Sequence, residues 1–151
     1  MKKIIIIISI AIAIPSLLFL FLFLKNRNNV PVEKGKIIIP AGNKQLPIAD
    51  YSQNAKRIID DKDIVIDETE EYDILGFSYN NQRSFLISIK SSDNLEETRK
   101  KAENELLSKL EISGEDACLL DVSVNVSKDI DENLAGRNFG LSFCPNGKPF
   151  K

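Results

Sequence analysis

The residues with the most distinctive chemistry are Cys118 and Cys144, the only two cysteines in the chain. One follows a predicted helical turn and the other ends a predicted strand, and this placement favours a disulfide between them. Closing a loop of this size contributes about 3–4 kcal/mol by the chain-entropy relation. The alternative is two buried thiols in a reducing compartment. Strict alternation puts Cys144 opposite its apolar neighbours, so a bridge requires the strand to bend before Pro145.

Histidine is absent from the sequence. This excludes Ser-His-Asp and Cys-His nucleophile activation and most transition-metal sites, because imidazole is the usual base near neutral pH and the commonest metal ligand. A carboxylate-based hydrolase would use Asp121, Asp129 or Asp131 as acid and base. These residues fall on a polar strand face or in a loop, so we expect no catalytic residue, no metal and no cofactor.

A second group of carboxylates extends from Asp60 to Asp73 and flanks the short apolar run Ile64–Ile66. A calcium loop of the EF-hand type needs oxygen ligands at alternate positions and a Gly at its sharp turn. No Gly occurs between Gly42 and Gly76. The segment is therefore interpreted as a solvated acidic loop, and a small-ligand or cation sensor is kept as an alternative function.

An unbroken apolar run, Ile4–Leu24, precedes all of these residues and has lysines on both sides. At about 1.5 Å per helical residue the run is roughly 30 Å long, which matches the hydrocarbon thickness of a bilayer. A cleaved signal peptide has a shorter core that ends in small residues, whereas this run ends in alternating Leu and Phe. Residues 1–24 are therefore predicted to be a retained transmembrane signal-anchor.

Two features favour an extracytoplasmic domain, because the charges on either side of the anchor are nearly balanced. Only three residues precede the apolar run, which is the usual signal-anchor arrangement, and the cysteine pair suits an oxidising space. Residues 25–36 are polar and contain Pro31 and Gly35. They are predicted to form a flexible linker with a root-mean-square reach of roughly 20 Å.

The part of the chain beyond the anchor is acidic. The whole sequence has 20 Lys and Arg against 22 Asp and Glu, and two of the lysines, Lys2 and Lys3, precede the anchor. Nucleic-acid binding needs a concentrated basic face, so we expect no nucleic-acid partner. The remaining length is sufficient for one domain with a modest core.

Residues 37–71 are predicted to be an irregular segment. Ile37–Ile39 reads as a short strand that ends at Pro40, and the apolar positions between Pro47 and Ile59 recur at the spacing of a two-turn helix. The acidic loop completes this segment.

Regular structure is predicted over residues 72–147. Period-2 alternation on either side of residues 80–83 indicates a β-hairpin, in which Leu75, Phe77 and Tyr79 share one face. A helix is predicted over Leu95–Leu110, capped by Asp93 or Asn94 and carrying one apolar stripe.

The second half of this region is predicted to hold a further helical turn and two strands. Ser113 begins the turn, and the strands extend over residues 119–127 and 137–144. Residues 148–151 are expected to be a frayed tail.

The runs Phe85-Leu86-Ile87-Ser88-Ile89, Glu115-Asp116-Ala117-Cys118 and Gly140-Leu141-Ser142-Phe143-Cys144-Pro145, together with the helix from Glu96 to Glu103, carry a resemblance. The chain resembles a family of small, uncharacterised, N-terminally membrane-anchored proteins of candidate-phyla-radiation bacteria. The similarity covers the anchor and about residues 72–147, and Cys118 and Cys144 match the recurring cysteines of that pattern. The resemblance implies architecture and location but no catalytic residue.

The fold class predicted from these patterns is α+β: an N-terminal transmembrane helix, then a small antiparallel sheet of one hairpin and two further strands packed on one main helix. The expected function is a single-pass membrane-anchored, non-catalytic interaction or assembly module of the cell envelope. Its partner is expected to be a protein, which an exposed sheet edge would recruit as an added strand.

Overall fold

The computed structural model describes residues 33–60, 62–80 and 82–151. The predicted anchor Ile4–Leu24 and residues 25–32 of the predicted linker lie outside these residues. The described part is an α+β domain, as predicted. Its elements, in chain order, are β1 (Lys36–Ala41), β2 (Lys44–Ala49), a 3₁₀ turn (Tyr51–Asn54), β3 (Arg57–Ile58), β4 (Asp63–Glu68), β5 (Tyr72–Tyr79), β6 (Gln82–Ile89), α1 (Leu95–Leu110), α2 (Gly114–Ala117) and β7 (Asp121–Val126).

Five strands form one mixed sheet in the order β3-β4-β5-β6-β7. The pairings from β3 to β6 are antiparallel, but β6 and β7 are parallel. The predicted all-antiparallel sheet is therefore wrong at this position. A parallel pair needs a long crossover, and α1 with α2 provides it here.

Regular structure occupies much of residues 37–60 and 62–71, in contrast to the irregular segment that was predicted. β1 and β2 form a separate two-stranded antiparallel ribbon that turns at Gly42, where φ is +56°. The predicted helix between Pro47 and Ile59 is wrong, because its apolar positions belong to different elements. Leu46 and Ile48 alternate on β2 with period 2, and both are buried against the core.

One face of the five-stranded sheet, the inner face, packs on α1 and the ribbon. Ile74 on β5, Ile87 on β6 and Val124 on β7 are fully buried there against Leu106 of α1. Residues of β4 reach this face through a bulge after Val65. A bulge adds one residue to a strand and changes the side-chain alternation.

Gly76 on the inner face is packed beneath an aromatic ring. A Cβ at this position would lie 3.0 Å from Cε2 of Tyr51 and 3.2 Å from Cδ1 of Ile66. The Tyr51 ring also meets the Phe85 ring edge to face at a centroid distance of 5.5 Å. Its hydroxyl accepts a hydrogen bond from Nη1 of Arg83 at 2.8 Å.

The predicted main helix is confirmed over Leu95–Leu110, but its N-terminus differs from the predicted capping box. Asn94 is the N-cap, yet its backbone is left-handed, with φ of 49°, and its side chain accepts no capping hydrogen bond. Its amide nitrogen instead donates to Glu97. At α2 the predicted cap is confirmed, since Ser113 Oγ accepts a hydrogen bond from the Asp116 N–H at 3.1 Å.

The predicted strand over residues 137–144 is wrong. The segment makes one backbone hydrogen bond to β7, from the Phe139 N–H to the Val124 carbonyl at 2.8 Å, and then turns away. Gly140 has a φ of +62°, which is incompatible with an extended strand. The buried side chains of Arg99 and Glu103 on α1 form hydrogen bonds with the backbone of the turns that follow.

Residues 148–151 also differ from the frayed tail that was expected. The Lys148 N–H donates to the Phe139 carbonyl at 2.8 Å, and the Phe150 N–H donates to Oε1 of Glu96 at 3.0 Å. The Phe150 ring meets that of Phe139 edge to face at a centroid distance of 4.7 Å. The guanidinium carbon of Arg99 lies over the Phe150 ring, 4.9 Å from the ring centroid.

Candidate functional site

The carboxylates considered for an acid–base site are not gathered together. Asp121 begins β7, whereas Asp129 and Asp131 follow the other end of that strand. The length of β7 separates them by roughly 17 Å. Asp131 uses Oδ1 to accept a hydrogen bond from the Asn133 N–H in its own turn at 2.8 Å.

The acidic segment Asp60–Asp73 is engaged with the domain's own cations and backbone. Asp60 Oδ1 accepts hydrogen bonds from the N–H groups of Lys62 and Asp63, and these bonds lower the pKa of the Asp60 carboxyl. Four carboxylates of the segment form ion pairs with cations of the domain: Lys56–Asp67 at 3.9 Å, Arg57–Glu68 at 3.7 Å, Lys90–Asp73 at 2.6 Å and Lys101–Glu71. Within the described ranges, no three His, Cys, Asp or Glu residues are arranged to hold a metal ion.

Cys118 and Cys144 lie at disulfide distance. Their sulfur atoms are 1.98 Å apart and their Cα atoms 5.5 Å apart, so the geometry agrees with the pairing hypothesis. The expected bend is a turn, in which the Cys144 N–H donates to the Leu141 carbonyl at 3.1 Å. The pair links the end of α2 to the segment that follows β7.

The outer face of the sheet, opposite α1, is the largest feature that the sequence analysis did not identify. The strand register places one row of side chains across all five strands on this face: Arg57, Val65, Leu75, Leu86 and Ser123. Phe77 lies on the same face one position along β5 from Leu75. We call Leu75, Phe77 and Leu86, which are half-buried, the open face. Val65 lies in the same row but is only 2% exposed.

Polar side chains border the open face on both sides. On one side of the apolar row, the row of Phe77 also holds Asp63, Ser84 and Asp121. The row on the other side holds Glu68, Asp73, Ser88 and Asn125. An apolar centre with a polar rim is the usual anatomy of a protein–protein interface.

A groove of about 320 Å³ extends the open face toward β7. Phe77 and Leu86 line one side of it, and Ser123, Asn125 and Asn138 line the other. Asn138 fixes this border, because its Oδ1 accepts hydrogen bonds from the N–H groups of Val124 and Gly140, and its Nδ2 donates to Ser123 Oγ.

Exposed apolar side chains continue the open face at one end of the sheet. Tyr79, beyond Phe77 on β5, is 68% exposed. Ile59 is 53% exposed and follows the edge strand β3. Its N–H donates to the carbonyl of Asp63, the residue that pairs with Phe77. Tyr79 and Ile59 therefore lie next to the open face, whereas Ile58, which is 64% exposed, pairs with Ile64 on the other side of the sheet.

The sequence of β5 indicates this face, because its apolar residues do not alternate with polar ones. Residues 74–77, Ile-Leu-Gly-Phe, are apolar on both faces of β5. Such a run is typical of a strand covered on both sides. The predicted set Leu75, Phe77 and Tyr79 does share one face, but the face buried within the domain is that of Tyr72, Ile74 and Gly76.

The edges of both sheets are poorly suited to accept an added strand. Pro40 and Pro47 remove backbone donors from the two strands of the ribbon. At β7, Phe139 already occupies a backbone position of the outer edge. The remaining edge strand, β3, has only two residues, one of which is Arg57, and short charged edges resist further pairing.

Among residues 33–60, 62–80 and 82–151, no helix has the length and apolar character needed to span a bilayer. The predicted membrane segment Ile4–Leu24 lies outside these residues. Comparisons with known proteins give no relative: no family model, no curated protein and no solved structure matches this chain. The resemblance to small anchored proteins of candidate-phyla-radiation bacteria accordingly stays a prediction from sequence.

Proposed function

We propose that the protein is a single-pass membrane-anchored, non-catalytic interaction or assembly module of the cell envelope, with its domain on the extracytoplasmic side. The apolar run Ile4–Leu24 supports the anchor. The cysteine pair at disulfide distance supports the location, because disulfides persist in oxidising compartments.

The single observation that carries the interaction role is the open face. The centre of β5 is apolar on both sides, and Leu86 of β6 extends its outer side, but the domain's own helix and ribbon cover only the inner side. Apolar surface that stays exposed to water costs about 25 cal/mol per Å² relative to buried surface. A partner that covers this face recovers that free energy. The proposed partner is a protein that presents an apolar row of its own to Leu75, Phe77 and Leu86.

We therefore expect the partner to pack on the face of the sheet and not to add a strand at its edge. The sheet edges are shortened, charged or occupied, whereas the open face has an apolar centre and a rim of Ser, Asn and Asp. The alternatives based on carboxylates have less support, because the acidic segment is engaged in ion pairs within the domain.

The test is site-specific photo-cross-linking in native envelopes. The photoreactive residue p-benzoylphenylalanine replaces Phe77, which it resembles in shape, and in a matched control it replaces Asn104 on the exposed side of α1. We expect an adduct from position 77 only. Leu86→Asp should abolish it, because a buried carboxylate opposes docking, and Asn104→Asp should leave it intact.

The mass of the adduct identifies the partner. A second copy of this chain and a different protein are both consistent with an interaction module, provided that Leu86→Asp removes the adduct. Only unmodified monomer from position 77, or an adduct that persists in Leu86→Asp, would contradict the proposal. The melting temperature of each variant verifies that the domain is folded.

A further inference from the structure

The domain is acidic, yet it carries one local excess of positive charge. All 22 Asp and Glu of the chain lie at or after Glu33, whereas four of the 20 Lys and Arg precede it. Against this background Lys100, Arg137, Lys148 and Lys151 converge from α1 and from the segment after β7. We call these four residues the basic corner.

Two grooves make the basic corner continuous, because Lys148 and Pro149 form a ridge between them. The first groove, of about 370 Å³, lies between this ridge and the side chains of Glu96, Arg99 and Lys100. The second, of about 400 Å³, lies between the ridge and the residues Arg137, Asn138 and Lys151.

The four cations are exposed. Arg137 is already engaged, because its Nη1 donates to the main-chain oxygen of Lys151 at 3.1 Å. Within the described part of the chain, no ion pair involves Lys100, Lys148 or Lys151. Among the residues that line the two grooves, the acidic side chain is Glu96, which is engaged by Arg99 at 3.7 Å and by the Phe150 N–H at 3.0 Å. In contrast, most cations near the acidic segment are ion-paired. The three lysines of the basic corner are therefore available to an external anion.

We propose that the basic corner docks on the phosphate-bearing headgroups of anionic lipids. A ridge with cations on both sides fits a surface that offers several phosphates better than it fits one small ligand. Clusters of Lys and Arg close to a membrane are attracted to anionic lipid by this chemistry. The inference rests on the membrane anchoring proposed above.

The position of the corner is compatible with the length of the linker. Lys36, at the start of β1, is ion-paired at 3.8 Å with Glu111, the residue that follows α1. Lys100 lies 11 residues before Glu111 on the same helix, which is about 17 Å. The root-mean-square reach of the predicted linker is about 20 Å.

The experiment measures the reactivity of individual lysines in the full-length protein. The protein is reconstituted into nanodiscs of phosphatidylcholine alone, or of equal parts phosphatidylcholine and phosphatidylglycerol, and its lysines are acetylated and quantified by mass spectrometry. Lys44, exposed at the start of β2, is the internal control. We expect Lys100, Lys148 and Lys151 to react about fivefold more slowly in the anionic discs, with Lys44 unchanged and the difference lost at high salt.

A variant distinguishes docking from a general effect of the anionic surface. Each Lys or Arg near such a surface changes the association constant by about fivefold. Lys100→Gln/Arg137→Gln should therefore remove most of the protection at Lys148, and Lys44→Gln/Lys62→Gln should retain it. Equal protection of Lys44 and Lys148, or protection unaffected by Lys100→Gln/Arg137→Gln, would overturn the inference.

Two further outcomes separate this inference from the proposed function. Loss of the protein from the discs at alkaline pH would refute the anchor; the full chain would then be mixed with vesicles of the same two compositions, which tests the corner directly. If pyrophosphate protects Lys148 in neutral discs and phosphatidylglycerol does not, the ligand is a soluble phosphate and the bilayer assignment is wrong.

Discussion

Arg99 and Glu103, one turn apart on α1, hold the same C-terminal segment from two sides. Both are 1% exposed, and Nε of Arg99 donates to Oε1 of Glu103 at 2.9 Å. Arg99 also donates to the carbonyls of Phe139, Gly140 and Lys148. Glu103 accepts from both the N–H and the hydroxyl of Ser142. The ion pair thus supplies the hydrogen bonds that a strand at residues 137–144 would have found in a sheet.

The first prediction concerns this ion pair. Arg99→Met leaves the Glu103 carboxylate buried without its cation and removes the Arg99 donor from the carbonyls of Gly140 and Lys148, so we expect the free energy of unfolding to fall by about 3–5 kcal/mol. Urea denaturation followed by circular dichroism measures the change. The control is Lys128→Gln, which removes an exposed pair with Glu132 at 3.4 Å and should cost less than about 1 kcal/mol. Equal effects of the two substitutions would contradict the role of Arg99.

The second prediction concerns Gly147 in the same segment. A Cβ at this position would lie 2.2 Å from the backbone oxygen of Leu141. Gly147→Ala therefore forces the backbone to move, and overpacking of this kind costs about 1–3 kcal/mol or more. At Gly114 a Cβ would meet only the Phe143 ring at 3.4 Å, so Gly114→Ala should be tolerated. A melting temperature for Gly147→Ala that equals that of Gly114→Ala would show that the segment is not tightly packed.

The third prediction concerns the cysteine pair. A bond between Cys118 and Cys144 closes a loop with a sequence separation of 26. The chain-entropy relation gives about 3.5 kcal/mol for a loop of this length. Reduction should lower the free energy of unfolding by this amount. In Cys118→Ala/Cys144→Ala the reductant should have no effect, and a wild type that is equally insensitive to reductant would refute the bond.

The fourth prediction concerns pH. Burial, and next to it the negative charge of Asp67, raise the pKa of the Tyr72 hydroxyl above its usual value near 10. Above pH 10 the unfolded chain loses this proton while the folded domain retains it, so the unfolded state binds fewer protons and stability falls as pH rises. Tyr72→Phe lacks this dependence. The difference in unfolding free energy between wild type and Tyr72→Phe should therefore be constant below pH 9 and shift against the wild type above pH 10.

The local patterns in the sequence predicted the elements that depend on neighbours along the chain. The hairpin around residues 80–83, the helix Leu95–Leu110, the cap at Ser113 and the strand that became β7 were all found. Each rests on a period or a cap that lies within one stretch of residues. The buried pair Arg99–Glu103 was missed, because charged residues four apart on a helix usually lie on the solvent side, and only their spacing with Ala102 and Leu106 indicated otherwise.

What the sequence alone determined is chemistry that depends on composition: no imidazole is available, one pair of cysteines exists, and one run of residues is long enough to cross a bilayer. What only the tertiary structure decided is which face of each strand is covered and how distant strands pair. Period 2 gives β5 two equivalent faces, and the packing of α1 makes Ile74 internal and Leu75 part of the open face. The parallel pairing of β6 with β7 joins residues that are distant in the chain, such as Ser84 and Asp121, and no local pattern encodes it.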